Sequence, residues 1–122
     1  MSRAERLKAR RWGRWGEGLA AWWLRAKGFR RIARGMRTPV GEIDLIVRRG
    51  NLLVFVEVKS RRALPLAYDA LRPAQRARII RAGSWFLAGR PDLAGCDLRY
   101  DVVLVGGWSL PKHLIDAWRV EA

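Results

Sequence analysis

Asp44, Glu57 and Lys59 stand in the two most apolar runs of the chain, Gly41-Glu42-Ile43-Asp44-Leu45-Ile46-Val47 and Leu52-Leu53-Val54-Phe55-Val56-Glu57-Val58-Lys59. Charged side chains avoid buried sheet positions unless something compensates them, so these three need a reason. Two carboxylates on adjacent strands offer hard oxygen ligands suited to Mg²⁺ or Mn²⁺. The chain has one cysteine and one histidine, which leaves no ligand set for zinc. The Val58 carbonyl, between Glu57 and Lys59, adds a further oxygen. Lys59 emerges on the face of Glu57, where it can hold a water or steady charge on a phosphate. A divalent ion among these groups would polarise a phosphodiester and acidify its bound water. The chemistry expected is metal-dependent phosphodiester hydrolysis; the competing reading is a cross-strand ion pair.

Arg48-Arg49-Gly50-Asn51 separates the two runs and reads as a hairpin turn. With Gly50-Asn51 as the loop, Arg49 faces Leu52 and Asp44 falls opposite Glu57. With Arg49-Gly50 as the loop, Asp44 faces Phe55 and Glu57 is a diagonal neighbour on the same face. A three-residue loop would put the two acids on opposite faces. For the even loops, alternation gathers Glu42, Asp44, Ile46, Phe55, Glu57 and Lys59 on one side. Ile43, Leu45, Val47, Leu52, Val54, Val56 and Val58 line the other. One face should therefore pack on a core while the other carries charge.

The elements that must hold this hairpin follow from periodicity. A helix is expected from about Ala4 to Lys27, with Trp12, Trp15, Leu19, Trp22, Trp23 and Ala26 at helical spacing and Gly28 closing it. Phe29 to Met36 reads as a short extended piece or edge strand. After the hairpin, Ala63 to Arg72 reads as a loop. A second helix runs from Pro73, in its first turn, to Leu87. Leu98 to Val105 forms a third strong strand, and the tail from Lys112 to Val120 a short helix or strand on the edge. Strand, helix, strand implies a crossover and a parallel pair. The expectation is one α/β domain over 1–122, a mixed central sheet flanked by helices in α-β-β-α-β order.

These residues resemble the PD-(D/E)xK nuclease superfamily, the restriction-endonuclease-like fold, with Asp44 as first acid and Glu57-Val58-Lys59 as the ExK element. Gly41-Glu42-Ile43-Asp44-Leu45-Ile46 followed by Val54-Phe55-Val56-Glu57-Val58-Lys59-Ser60-Arg61 is similar to the YraN family of small bacterial proteins. Gly13-x-x-Gly16-Glu17-x-x-Ala20, Arg78-Ile79-Ile80, Tyr100-Asp101-Val102-Val103 and His113-Leu114-Ile115 extend the likeness along most of the chain. That family is generally described as uncharacterised, with an inferred endonuclease activity and kinship to archaeal Holliday-junction resolvases.

The resemblance implies a Mg²⁺ (or Mn²⁺) site with Asp44 and Glu57 as ligands, Lys59 beside the reacting phosphate, and Glu17 assisting from the first helix. A solvated helix carboxylate is the other reading of Glu17. Glu42 is either an outer ligand or a charge at the start of the strand. Gln75, where similar sequences carry Lys or Gln, and the adjacent Arg76 are candidates for contact with nucleic acid. Arg61 and Arg62, just past the catalytic strand, are candidates for clamping phosphate. DNA is favoured over RNA, and branched DNA by kinship alone, which would call for a homodimer. The alternative is a non-enzymatic nucleic-acid-binding protein that keeps the fold. The tryptophans read as core rather than as a base-stacking platform, with one of Trp22 and Trp23 exposed. Asp101 reads as ordering a turn or pairing with an arginine, and His113 as structural.

Composition agrees with a polyanionic partner. Lys and Arg number 25 against 11 acids, a formal charge of +14, and 21 of the 25 are arginine, whose planar fork suits phosphate. An arginine-rich coding bias would give the same composition without a function. Cys96 is alone, which excludes an internal disulfide and reads as a buried small residue. No segment approaches the roughly 20 apolar residues needed to span a bilayer, so no membrane partner and a cytoplasmic location are expected.

Overall fold

Among the described residues two helices clasp a five-stranded sheet. The computed structural model describes residues 2–60, 73–106 and 110–118, without the side chains of 5–13, Ser60, Ala117 and Trp118. The elements are α1 (Arg3–Ala26), β1 (Arg30–Thr38), β2 (Gly41–Arg49), β3 (Leu52–Ser60), α2 (Pro73–Ala88), β4 (Asp97–Val105) and β5 (Lys112–Trp118). A 3-10 turn, Pro91–Leu93, joins α2 to β4. Spatial order follows chain order, β1-β2-β3-β4-β5. Every neighbouring pair is antiparallel except β3 and β4, which run parallel across the α2 crossover. The mixed sheet with its two helices is compatible with the restriction-endonuclease-like fold. The extended piece after α1 is a nine-residue edge strand. The tail is the strand at the other edge, so the order among the described residues is α-β-β-β-α-β-β.

Local chemistry explains the boundaries. α1 ends where Gly28 takes φ 92°, a left-handed conformation that glycine adopts without strain. Phe29 N–H donates to the Leu24 carbonyl and Gly28 N–H to that of Arg25, the paired bonds of a Schellman cap. Leu24 and Phe29 then pack in one cluster. Pro73 opens α2, where its missing N–H has no partner to lose. The Asn51 carbonyl accepts from Asp97 N–H at 2.8 Å and so ties the hairpin turn to the start of β4.

The sheet is apolar on both faces, which corrects the expected split into one greasy and one charged side. Leu45, Val47, Val54, Val56, Val103 and Val105 pack under α1. Ile43, Ile46, Leu53, Phe55, Val102 and Leu104 pack under α2. Ile43 was expected with Leu45, but alternation breaks between them and Ile43 joins Ile46. The acids of β2 and β3, Glu42, Asp44 and Glu57, stand at one end of the sheet.

α1 also differs from its tryptophan periodicity. Among its described side-chain positions Gly16, Ala20 and Leu24 are buried, while Trp15 and Trp22 are 56% and 60% exposed. Small residues win the inner face because they let α1 approach the sheet closely. A Cβ added at Gly16 would lie 3.1 Å from a Val105 methyl and 3.8 Å from one of Val58. Gly16→Val should overpack this contact and lower stability by about 1–3 kcal/mol in a urea melt. Cys96 is half-buried rather than buried. Arg61, Arg62, the expected loop of Ala63 to Arg72 and Trp108 lie outside the described residues.

Candidate metal centre at the fork of β2 and β3

The hairpin register is the one that Gly50-Asn51 dictates. Arg49 pairs with Leu52, and the ladder runs back to Leu45 opposite Val56. Gly50, at the first loop position, has φ 60°, as a type II′ turn requires. One step further Asp44 would face Glu57, but the β2–β3 ladder stops. β2 continues on β1 to Gly41 opposite Thr38, and β3 continues on β4 to Ser60 opposite Val105. The two strands fork, and a β3 amide loses its ladder partner.

Asp44 fills the fork. Its Oδ2 accepts the Val58 N–H at 2.8 Å, replacing the missing main-chain bond. Its carboxyl is also near enough to those of Glu57 and Glu17 to raise both through its charge. One oxygen from each of Glu17, Glu42 and Asp44 lies within 4.8 Å of the other two. Glu57 joins this trio through Asp44. Its Oε1 receives Lys59 Nζ at 3.2 Å and Gln75 Nε2 at 3.3 Å, the latter reaching in from the first turn of α2. On the α1 side, Arg34 Nε stands 3.7 Å from Glu17 Oε2, and its guanidinium also donates to the Arg14 carbonyl.

Negative charge exceeds its compensation here. Burial, then the charge of Asp44, pushes Glu57 up to about 7, with Lys59 opposing. Burial likewise raises Asp44 against the Val58 N–H and Lys59. Glu17 is raised by burial and by Asp44, with Arg34 opposing. Near neutrality the metal-free Asp44–Glu57 pair therefore shares a proton. Glu57 titrates near 7 in the fold against its ordinary 4.5. Its contribution to folding is thus complete below the unfolded value and lost as pH rises through 7. Ligation must displace that proton, so Mn²⁺ affinity should rise up to about tenfold per pH unit below 7 and level off above it. Calorimetric titrations at pH 5.5, 6.5 and 8 in buffers of different ionisation heat would show the released proton; a pH-independent affinity would contradict it.

The fork brings together Asp44, Glu57, Lys59, Glu17, Gln75 and Val58, the last through its N–H. Glu42, expected as an outer group, supplies one of the three clustered oxygens. Arg76 follows Gln75 on α2 and is half-buried. Arg34 escaped sequence reading. Its signal was weak, because β1 carries arginines at 30, 31, 34 and 37 and only α1 packing singles one out.

Comparison with known proteins meets this geometry. The uncharacterised protein family UPF0102 matches residues 16–105, a stretch that contains every member of the cluster. The chain belongs to UPF0102, the YraN family. A UPF0102 protein of Paramagnetospirillum magneticum is 52% identical, over 98% of this chain and 95% of its own length. Those of Parvibaculum lavamentivorans and Maricaulis maris are 50% and 49% identical. They cover 93% and 97% of this chain, and 85% and 92% of their own lengths. The UPF0102 match ends with β4 and leaves β5, which carries His113, outside it.

Among the described residues no helix is long and apolar enough to cross a membrane.

Proposed function

We propose that this UPF0102 protein is a metal-dependent nuclease that hydrolyses phosphodiester bonds in DNA. The observation that carries the reading is the convergence of Glu17, Glu42 and Asp44 oxygens within 4.8 Å, with Glu57 and Lys59 attached, at the fork. The clustered side-chain donors are all carboxylate oxygens, those of Glu17, Asp44 and Glu57 are raised by burial and neighbouring negative charge, and the cations that oppose this are Lys59 and Arg34. A small divalent cation is the charge such a site lacks, and Mg²⁺ or Mn²⁺ fits it. Asp44, Glu57 and the Val58 carbonyl would hold the ion, with Glu17 and Glu42 adjoining. Bound there, it supplies a Lewis acid for phosphate and a water of lowered pKa.

The remaining work falls to the chain. The Val58 N–H fixes the Asp44 carboxylate, and Gln75 fixes that of Glu57. Lys59 holds a water or a phosphate oxygen. The formal charge of +14 draws a polyanion to an otherwise acidic site. DNA is favoured over RNA, and branched DNA follows from the likeness to junction resolvases, in which a homodimer would present two sites. Arg61, Arg62 and Arg76 would contact the backbone. The cytoplasm is the compartment in which such a substrate is met.

The test is Mn²⁺ calorimetry first, then cleavage of junctions, flaps, single strands and RNA with Mg²⁺ or Mn²⁺, beside Asp44→Ala and Lys59→Ala. Metal binding, with cleavage abolished in both variants and nucleic-acid binding retained, supports the nuclease. Nucleic-acid binding without metal binding or cleavage, unchanged in the variants, supports a non-enzymatic binder that uses the acid cluster structurally.

A further inference from the structure

The end of the sheet opposite the acid cluster has its own charged feature. Arg25, Gly28, Arg30, Arg48, Arg49 and Gly50 line a cleft of about 470 Å³ where the end of α1 meets the hairpin turn. Four of the six are arginines and none is acidic. Two of the arginines are anchored: Arg49 Nη1 donates to the Lys27 carbonyl at 3.2 Å with its guanidinium 4.3 Å over the Phe29 ring, and Arg48 Nε donates to the Gly50 carbonyl at 2.9 Å. Main-chain carbonyls thus orient two forks and leave each with further donors. Asp92 is close enough to Arg48 for its carboxylate to feel that charge, yet Arg90 holds it with two bonds, of 3.0 and 2.9 Å.

The exposed carbonyls at the C-terminus of α1 favour a cation nearby and explain Arg25. Edge-strand protection explains an arginine on β1. Neither explains the register, which sets Arg30 directly across from Arg48. Like charges opposed on neighbouring strands destabilise a sheet, and a strand end is free to avoid them. Gly28 adds room, since a Cβ there would lie 3.5 Å from the Arg49 side chain.

We infer that this arginine cleft is a second contact with nucleic acid, gripping backbone phosphates away from the acid cluster. Asp44 and Arg49 lie five residues apart on one strand, roughly 17 Å when extended. On a duplex that distance corresponds to about five base pairs from the scissile phosphate. The cleft anchors the substrate while the fork does the chemistry, which spares the acid cluster from having to attract a polyanion itself. This inference rests on the proposed nucleic-acid substrate and adds where it is held.

The test is the double variant Arg30→Gln/Arg48→Gln, which leaves Arg49 on its ring and removes the opposed charges. Fluorescence anisotropy would follow a DNA duplex of roughly thirty base pairs in EDTA across a salt series. The expected result is about tenfold or greater loss of affinity near 0.1 M salt, with the log–log salt slope reduced by roughly 2. An unchanged or higher melting temperature would certify the fold. If the unmodified protein binds duplex and the double variant binds it with the same affinity and slope, the cleft is overturned and the nuclease reading stands. If the unmodified protein binds no nucleic acid, both fall. Unchanged duplex binding with a lost response to inorganic phosphate would mark a small-anion site and would equally overturn the inference.

Discussion

Asp44→Asn should abolish Mn²⁺ binding and cleavage while making the metal-free protein more stable above pH 7. Asparagine keeps an oxygen for the Val58 N–H, so the fork retains its bond. Its amide can donate to Glu57, whose carboxylate otherwise meets another acid in a buried place. Burial and then the Asp44 charge lift Glu57 to about 7, and the variant removes the second of these. A gain of about 1–2 kcal/mol in metal-free melts at pH 8 is the expected size, as for other strained functional groups. Saturating Mn²⁺ should stabilise the unmodified protein by about 2.7 kcal/mol at a hundredfold excess over Kd, and leave the variant unmoved. Cleavage should fall by about 10³-fold or more. A variant that keeps its Mn²⁺ shift, or still cuts, would take Asp44 out of the metal site.

Lys59→Met separates binding from chemistry at the same fork. Lys59 is 26% exposed and 3.2 Å from Glu57, an ion pair of modest worth on its own. Its removal should leave Mn²⁺ binding in place at pH 8 and lower cleavage by about 10²–10³-fold, because the proposed reaction would lose the positive group it sets beside the phosphate. Loss of stability without loss of cleavage would reduce Lys59 to a salt-bridge partner.

The hairpin was legible because Gly50 and Asn51 admit a two-residue loop and parity carries the register back to Asp44. Pro73 and Gly28 likewise marked helix ends, since each restricts the backbone in a way few residues do. What sequence could not show is where pairing stops. The fork after Leu45 and Val56 depends on β1 and β4 each keeping hold of its own neighbour, a property of the whole sheet. The break between Ile43 and Leu45 belongs to the same divergence. The tryptophan stripe misled for a different reason. Periodicity marks large apolar faces, whereas α1 is seated by Gly16 and Ala20, whose smallness is what lets Glu17 come close to Asp44. The arginine cleft was illegible too, because it joins the end of a helix to a turn more than twenty residues later.

Asp101→Ala should be among the most damaging single changes, and it supplies the control for Asp44. At β5 the ladder also fails: Tyr100 pairs with Trp118 and Val102 with Leu114, so Asp101 of β4 stands against the three residues 115 to 117 of β5. Within that bulge Asp116 takes φ 56°, and its freed N–H donates to Asp101 Oδ1 at 2.8 Å. Arg99 grips the same carboxylate with two bonds, and His113 Nε2 reaches it at 2.6 Å. Asp101 therefore repeats the device of Asp44, an aspartate replacing a lost ladder bond, with opposite surroundings. Burial works to raise it, but His113, Arg99 and the Asp116 amide hold it below the usual carboxylate range. Its stabilisation is present above the ordinary carboxylate value of 3.8 and fades only as pH falls through the lower folded one. Removing one member of a buried, hydrogen-bonded charge cluster costs about 3–5 kcal/mol. In a chain of this size that lowers the melting temperature by roughly 10–20 °C, at neutral pH and with or without Mn²⁺. Hydrogen exchange should show the loss first in β5. A melting temperature unchanged in metal-free protein but shifted in Mn²⁺ would mean that Asp101, not only Asp44, serves the metal. The electrostatic contrast between the two aspartates would then no longer separate a structural carboxylate from a ligand.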